Sequence, residues 1–247
     1  MLFYVLTVSV FGIATFGLSP VAESNISMIT CKRNSDDYSS CLKRALDETW
    51  WPQLLKGMPE FDVPPIDPLF AKYAKIIFNS NLMHAEAIIS NLSAIGLAEA
   101  SFSDIRTYFL DDVFRVEIDG QVPSMFVEAA VKINGVLSIF KVAAEGHLTV
   151  TANDIRGTCS LIGHVANDTW IVEHFRLLPL IGKFKVSFDN LLEGSKEFSD
   201  IVITFVNEYW PLVYRETMPF LFDRVDPLVV EFLNKFFSDV SFSKVFP

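Results

Sequence analysis

The chain of 247 residues is poor in basic side chains. It has 20 Lys and Arg against 30 Asp and Glu, a formal net charge of -10 at pH 7, and no run of Lys and Arg longer than a pair. Because phosphate groups are bound by concentrated Lys and Arg, this charge balance opposes contact with polyanions. We therefore expect neither nucleic acid nor an anionic membrane surface as a partner.

The sequence also lacks the short motifs that mark several large enzyme classes. It contains no G-x-S-x-G, H-E-x-x-H, G-x-x-x-x-G-K or G-x-G-x-x-G segment. Its four histidines lack metal-ligand spacing and there is no C-x-x-C pair, so no metal site and no cofactor are predicted. We interpret the chain as a protein without enzymatic activity. Scattered Ser, His and Asp residues can still converge in a folded chain, which leaves a lipid esterase as an alternative.

Cysteine is scarce, with three residues in the chain. Cys31 and Cys41 flank a short polar stretch, and in an oxidising compartment such a pair closes a loop that stabilises the fold by roughly 2 to 3 kcal/mol. We predict this disulfide. Cys159 then has no partner, and we expect a buried free thiol that behaves as a small apolar side chain.

Apolar side chains, in contrast, are abundant. Hydrophobic residues make up 51% of the chain, charged residues 20%, and 23 residues are Phe. An ordinary core of this size needs less apolar surface. Composition alone leaves two explanations open: a tightly packed Phe-rich core, or an interior that also holds an apolar ligand.

The N-terminal segment from Met1 to Leu18 is apolar and has no charged side chain. Small residues follow, and we predict a secretory signal peptide over 1-22, with cleavage near Gly17 or Ala22. The absence of Lys and Arg before the apolar run leaves an uncleaved anchor as an alternative. No later charge-free apolar run reaches about 18 residues, so no stable membrane insertion of the mature chain is expected.

The mature chain, 23-247, is predicted to form a single domain in the extracellular space. No low-complexity linker divides it. N-x-[ST] triplets begin at Asn25, Asn91 and Asn167, and we predict N-glycosylation at Asn91 and Asn167 during secretion.

Two local patterns follow the cysteine pair. Apolar residues at helical spacing predict an amphipathic helix that begins at Cys41 and ends near Trp51-Pro52. The proline-rich segment 57-69 comes next and predicts an extended stretch.

Between about Ile76 and Asn190 apolar and polar residues alternate, as in Phe114, Val116 and Ile118 with their neighbours. This period of two predicts strands with one apolar face. Four turn-forming pairs predict short connections between consecutive antiparallel strands. These pairs are Asp119-Gly120, Asn134-Gly135, Glu145-Gly146 and Asp189-Asn190.

The segment from about Phe198 to Phe237 has apolar residues nearly all round a helical wheel, which predicts a long helix buried on most sides. Pro211, Pro219 and Pro227 should kink or divide it. A long apolar helix and a sheet with one apolar face bury each other best when the sheet wraps around the helix. The predicted fold class is therefore α+β, with a strongly curved antiparallel β-sheet around a long C-terminal helix.

Several motifs along the chain resemble the insect takeout and juvenile-hormone-binding protein family. The N-terminal ones are the spacing of Cys31 and Cys41, Leu42-Lys43, Gly57-Met58-Pro59-Glu60 and Val63-Pro64-Pro65-Ile66-Asp67-Pro68-Leu69. Further matches are Gly96-Leu97, Ile133-Asn134-Gly135, Gly146, Phe184 to Leu191, Asn207-Glu208-Tyr209-Trp210 and Val245-Phe246-Pro247. The resemblance covers essentially the whole mature chain, and the proline-rich segment and the terminal Phe-Pro are its most specific parts.

This resemblance implies that the sheet and the helix enclose an apolar pocket or tunnel for terpenoid or fatty ligands. Two departures from the family pattern favour the takeout-like branch. Cys159 has no partner for a second disulfide, and Val131 stands where many members have a tyrosine that offers a polar contact.

We predict a secreted carrier of a small hydrophobic ligand, either a terpenoid such as juvenile hormone or a fatty acid-like lipid, bound by burial of its apolar surface. Trp50 and Trp51 are predicted to flank a gate at the end of the first helix, which the disulfide pins. A secreted signalling or interaction protein with a permanently filled lipid pocket is the alternative. The predicted cavity-lining residues, each of which ordinary core packing also explains, are Val131, Ile133, Phe140, Leu148, Val150, Phe184, Val186, Phe188, Phe205 and Trp210.

Overall fold

The computed structural model describes residues 29-79, 83-137, 140-189, 196-238 and 240-247. The predicted signal peptide over 1-22 and the triplet at Asn25 lie outside the described residues. In the described part of the chain, no helix has the length and apolar content that crossing a bilayer requires.

The N-terminal helical segment continues past its proline. Helix α1 spans Tyr38–Ala45, a π-helical turn spans Leu46–Trp50, and α2 spans Trp51–Lys56. The prediction that this helix ends near Trp51-Pro52 was wrong. Pro52 lies in the first turn of α2, directly after the π-helical turn. The segment ends at Gly57, which adopts a φ of 76°.

Six antiparallel strands form one curled, open sheet. Two strands, β4 and β5, run through its whole length, and the order is β1-β2-β4-β5-β6 with β3 paired to the first part of β4. Short 3-10 turns at Pro59–Phe61 and Leu97–Glu99 precede β1 and β3. The strands are β1 Leu69–Asn79, β2 Met83–Ile95, β3 Ser101–Leu110, β4 Val113–Leu137, β5 Phe140–Ala166 and β6 Thr169–Phe188.

Three of the four predicted turns were wrong. Asp119-Gly120 and Asn134-Gly135 lie inside β4, and Glu145-Gly146 lies inside β5. An added Cβ at Gly135 would come within 2.5 Å of Ala85 on β2. This glycine therefore permits close contact between two strands and does not form a turn.

Asp and Asn residues form the tight turns instead. The β5–β6 turn contains Asn167 and Asp168, with φ of 51° and 62°, and the β3–β4 turn contains Asp111, with φ of 55°. Positive φ at both central residues suits a two-residue hairpin. Asp189 follows the end of β6 as predicted, while Asn190 lies outside the described residues.

The alternation of buried and exposed residues in the long strands shifts by one position halfway along them. In β4, even-numbered residues such as Val116 are buried near its start and odd-numbered ones such as Ala129 further on. Pro123, Asp154 and Gly182 lie opposite one another in β4, β5 and β6 at the point of change. Asp154 has a φ of 54°, which breaks the regular pleat. The sheet therefore has two apolar regions, one towards each end, and the long C-terminal helix packs on both through Trp210 and Phe237.

The C-terminal helical region is divided, as the prolines predict. Helix α3 spans Lys196–Glu208 and α4 spans Trp210–Ser238, followed by the short α5 at Phe242–Val245. The break falls just before Pro211, while Pro219 and Pro227 lie within α4. The predicted α+β class, with a curled antiparallel sheet and a long C-terminal helix, is confirmed.

Two asparagine side chains of the C-terminal helices hydrogen-bond to backbone groups at the outer edge of β6. The Asn207 amide donates to the Val186 carbonyl (2.8 Å) and accepts from its N–H (2.7 Å). The Asn234 amide makes the same pair of bonds with Val172, both at 2.8 Å. Because these amides replace a neighbouring strand, they cover the sheet edge and fix α3 and α4 alongside β6.

The main hydrophobic core lies where the two ends of the chain meet the sheet. It joins α1 and the π-helical turn to β3, to the start of β4 and β6, and to the C-terminal residues 237-246. Its most deeply buried side chains include Leu42, Ile105, Phe114 and Trp170. We call this region the disulfide end, because it contains Cys31, and the opposite end of β4 and β5 the far end.

Candidate functional site

An apolar cavity of about 130 Å³ lies at the disulfide end. Its wall combines the N-terminal helical segment, the inner face of β3 to β6 and the C-terminal part of the chain. Among the described lining residues, Gln53 supplies the only side-chain amide, and none is charged. The wall is formed by Leu46, Trp50, Gln53, Leu54, Met58, Ile105, Val116, Ile118, Leu161, Trp170, Phe232, Leu233, Phe236, Phe237, Val245 and Phe246.

The N-terminal part of the wall is held by covalent and backbone bonds. The predicted disulfide between Cys31 and Cys41 is confirmed, with Cα atoms 5.7 Å apart. After α2, Met58 and Val63 exchange two backbone hydrogen bonds of 2.9 and 3.0 Å. This closed loop makes the proline-rich segment compact and directs the buried Met58 to the cavity.

The C-terminal part of the wall is held by Asp168 in the β5–β6 turn. Its carboxylate accepts from the Ser241 hydroxyl and from the Ser243 N–H (2.8 Å), and its carbonyl accepts from the Phe242 N–H (2.7 Å). Hydrogen bonds from the Ser241 side chain and the Ser243 backbone lower the pKa of the Asp168 carboxyl. These bonds fix α5, which carries Val245 into the wall.

Aromatic rings surround Trp170 on one side of the cavity. Its ring centroid lies 4.8 Å from Phe114, 4.8 Å from Phe237 and 6.3 Å from Phe246. The edge-to-face and tilted arrangements are those that aromatic pairs prefer. The cavity wall on this side is therefore a cluster of packed aromatic rings.

The two predicted gate residues have different surroundings. Trp50 borders the cavity and packs against Phe246, with centroids 6.1 Å apart. Trp51 packs against Phe102 at 5.0 Å, and its Nε1–H donates to the Leu97 carbonyl at 3.3 Å. Trp50 thus lies at the cavity wall, whereas Trp51 anchors α2 to the sheet, and the gate stays a prediction.

The predicted strand residues meet on one face of the far end. Directly paired residues of antiparallel strands share a face, and Leu148 pairs with Phe188 while Val150 pairs with Val186. Phe140 begins β5, but its side chain lies outside the described ones. The residues on this face are Val131, Ile133, Leu148, Val150, Phe184, Val186 and Phe188.

These far-end residues do not border the cavity at the disulfide end. Val131 is buried, whereas the other six are half-buried. Small side chains lie between them on the same face, with Ala129 paired to Leu148 and Ala144 paired to Ile133. Alternating large and small residues leave part of each large apolar side chain uncovered.

The two predicted helix residues also differ. Trp210 packs on Phe184, with centroids 5.7 Å apart, and thereby joins the far-end face. Phe205 is 52% exposed and contacts Tyr209 at a centroid distance of 4.9 Å. The structure therefore places Trp210, and not Phe205, beside the other predicted residues.

Most of the cavity wall was missed from the sequence. The alternation in β4 had indicated Val116 and Ile118 as core residues, but not that space adjoins them. The predicted C-terminal helix has apolar residues on all sides, so the sequence did not indicate which side borders a cavity. This helix contains Phe232, Leu233 and Phe236. A usable signal was the pair Val245-Phe246, because an apolar chain end is rarely left in solvent.

Other predicted positions have simple surroundings. Cys159 is a free thiol, half-buried, and burial raises its pKa to about 12. Asn91 and Asn167 are both exposed, so glycosylation there stays a prediction. Within the described ranges, no group of three or more His, Cys, Asp or Glu is arranged to hold a metal ion.

A curled antiparallel sheet, a long C-terminal helix and an apolar cavity between the chain ends define the class of this protein. The sequence model for "Haemolymph juvenile hormone binding protein (JHBP)" matches residues 6–247. The chain belongs to this family, and the resemblance seen in the sequence is confirmed.

Comparison with solved structures agrees on the fold. The crystal structure of Epiphyas postvittana Takeout 1 matches with a TM-score of 0.68 and 16% sequence identity, over 88% of this chain and 98% of that chain. At this identity the likeness concerns the fold. No curated protein sequence gives a significant match to the chain.

Proposed function

We propose that the protein is a secreted, non-enzymatic carrier that binds and releases a small hydrophobic ligand. The observation that carries this proposal is the apolar cavity of about 130 Å³ at the disulfide end. Its wall holds no charged side chain among the described residues, and apolar cavities of roughly this size stay dry and accept small apolar molecules. Membership of a family described by hormone binding supports the same function.

The cavity accommodates one end of a ligand. A volume of about 150 Å³ is enough for a molecule the size of benzene, so a terpenoid or fatty chain extends beyond it. Val122, Ile155 and Ile181 are half-buried and continue the inner face from the cavity towards the middle of the sheet. We propose that the remainder of the ligand lies along this face.

The far-end face is the proposed second contact surface. Six of its seven described members keep part of their apolar surface uncovered. Covering such surface with a ligand gains roughly 25 cal/mol per Å² removed from water. This accounts for apolar residues beyond what core packing at the disulfide end uses.

Trp50 is the proposed movable part of the entrance. It lies in the π-helical turn between α1 and α2, at the cavity wall. π-helical turns often occur at functional sites. We propose that a shift of this turn moves Trp50 away from Phe246 and opens the cavity, with the disulfide holding the start of α1 in place.

Lipid extraction and exchange test the proposed function. Protein purified from its native source is extracted, and bound lipids are identified by mass spectrometry. Labelled lipid of the identified kind is then added to the protein, and the bound label is followed over time. A carrier yields about one lipid per protein and exchanges it without chemical change.

Three results would contradict the carrier function. Lipid that never exchanges indicates a structurally filled pocket and thus the signalling alternative. Conversion of the added lipid to a product indicates an enzyme. Protein that is free of lipid and binds none indicates a packed core.

A further inference from the structure

Trp170 carries a polar group that has no hydrogen-bond partner in the part of the chain that the structure describes. Its side chain is 1% exposed and borders the cavity. Its indole Nε1–H has no hydrogen-bond acceptor among the described residues. Buried donors are almost always satisfied, so an unpaired one beside a binding cavity calls for an acceptor.

The surroundings of Trp170 offer aromatic rings in place of oxygen atoms. Phe114 and Phe237 lie with their centroids 4.8 Å away, and Phe246 lies at 6.3 Å. The face of an aromatic ring accepts an N–H bond only weakly. A ligand oxygen in the cavity would therefore be a better acceptor than any group in these rings.

The other residues of the cavity wall favour a neutral ligand oxygen over a charged one. The described lining residues include no Lys, Arg or His, and Gln53 on α2 supplies the only side-chain amide. An ionised carboxylate buried here would have no cation to pair with, which is strongly unfavourable. A neutral carbonyl, ester or ether oxygen meets no such cost.

We propose that Trp170 is a specificity-determining residue, whose indole N–H donates a hydrogen bond to a neutral oxygen of the ligand. The inference rests on the proposed function, because it requires an apolar ligand in the cavity. It assigns the ligand to neutral oxygen-bearing apolar molecules, in preference to hydrocarbons and to ionised fatty acids of the same length.

Three ligands of matched chain length test this assignment: methyl laurate, laurate at pH 8 and tridecane. Their affinities are measured by calorimetry for the full mature protein and for Trp170→Phe, which keeps an aromatic ring and removes the N–H. We expect the wild type to bind the ester about tenfold more tightly than the alkane, and laurate more weakly than the ester. In Trp170→Phe the ester should fall to the affinity of the alkane.

Tyr73→Phe is the matched control, because it also removes a polar hydrogen from an aromatic side chain, while Tyr73 is 60% exposed on β1 and does not border the cavity. This variant should keep the preference for the ester. A second measurement avoids dependence on the folding of Trp170→Phe. In wild-type protein with ¹⁵N-labelled tryptophan, one indole N–H resonance should move strongly with the ester and little with the alkane.

The outcomes separate the two proposals. If none of the three ligands binds the wild type, the carrier function itself fails. If they bind but ester and alkane have equal affinity, or Trp170→Phe keeps the preference, the role of Trp170 is overturned. An indole spectrum that responds equally to ester and alkane also overturns it.

Discussion

At the scale of single residues, Cys159 shows how the sheet controls chemical reactivity. It lies in β5 opposite Ile118 and Leu177, and burial raises the pKa of its thiol to about 12. The nucleophile in thiol reactions is the thiolate. Cys159 therefore stays protonated and inert at neutral pH, although it is the free cysteine of the described chain.

Labelling with a disulfide reagent at pH 8 checks this state. Relative to an ordinary thiol, the thiolate fraction of Cys159 is lower by about a thousandfold, and labelling of the native protein should be slowed accordingly. Unfolding in guanidinium, without reductant, should restore normal reaction of one thiol per chain. Rapid labelling of the native protein would contradict the buried environment.

The raised pKa of Cys159 makes the stability of the fold depend on pH in the alkaline range. Because the folded state holds the proton more tightly than the unfolded state, the unfolded state loses its proton first as the pH rises. Stability from this group is complete below the ordinary thiol pKa of 9.0 and decreases between that value and about 12.

The sequence predicted the apolar strand residues and the face of the sheet that they share. It did not predict that unfilled space lies beside them. Period-two alternation placed Val131, Val150 and Val186 together, and their pairing agrees. Alternation does not distinguish a side chain that fills space from one that borders it. That difference depends on how much of each side chain the C-terminal helices cover. For Val131, these helices lie more than 50 residues further along the chain.

At the scale of elements, the disulfide fixes the helical segment that carries Trp50. The double substitution Cys31→Ser, Cys41→Ser should lower the free energy of unfolding by roughly 2 to 3 kcal/mol, because the unfolded chain gains entropy. Denaturant titration measures this loss. If the bridge pins the gate, ligand uptake and release should also become faster in stopped-flow measurements.

Asp36→Ala is the control for this double substitution, because Asp36 is exposed within the loop that the disulfide closes. It leaves the bridge intact and should leave the ligand exchange rates unchanged. Unaltered exchange rates in the double variant would argue against a gate in α1 and α2. Unaltered stability would argue against the entropic role of the bridge.

The contact between the β5–β6 turn and α5 should depend on pH. The pKa of Asp168 is lowered by bonds from Ser241 and Ser243, so its contribution is present above the ordinary value of 3.8 and lost as the pH falls through the lowered value. The protection of residues 240-247 against hydrogen exchange, corrected for the intrinsic exchange rate at each pH, should decrease at acidic pH. In Asp168→Asn this protection should already be lower at neutral pH and change little with acid.

Asp111→Asn, in the exposed β3–β4 turn, is the control for Asp168→Asn. In this variant, residues 240-247 should be protected against hydrogen exchange as in the wild type. A protection factor in 240-247 that is independent of both pH and Asp168 would show that α5 is held by its apolar residues alone.

Element types could be predicted from the sequence more readily than element boundaries. The strands, the first helix and the divided C-terminal helix follow from periodicity and proline. The predicted boundaries were wrong where a glycine or proline that looked like a turn or a helix end has another role in the fold. Gly135 allows close approach of β2, and Pro52 enters a new helical segment after a π-helical turn.

At the scale of the whole molecule, the cavity arises from contacts between distant parts of the chain. Leu46 and Phe246 both border it, although 200 positions separate them. Arg33 donates from Nε to the Phe246 carbonyl at 2.8 Å, which joins the two chain ends directly. No local sequence pattern reports such an arrangement, so the family resemblance was the only guide to an enclosed space.

The carrier function requires that the cavity receives ligand, and filling it tests this most directly. Leu161→Trp places a large side chain in the wall, and Leu233→Phe is a smaller filling for use if the first variant does not fold. Leu178→Trp is the control, because Leu178 is 77% exposed on β6. Circular dichroism and thermal unfolding establish that the variants keep the native fold.

The decisive quantity is the affinity of the folded variants for the lipid extracted from the native protein, measured by calorimetry. A carrier with its ligand in this cavity should lose at least about tenfold in affinity in the filled variant, a difference of about 1.4 kcal/mol, and keep its affinity in Leu178→Trp. Equal affinity in the filled variant, the control and the wild type would contradict the carrier function.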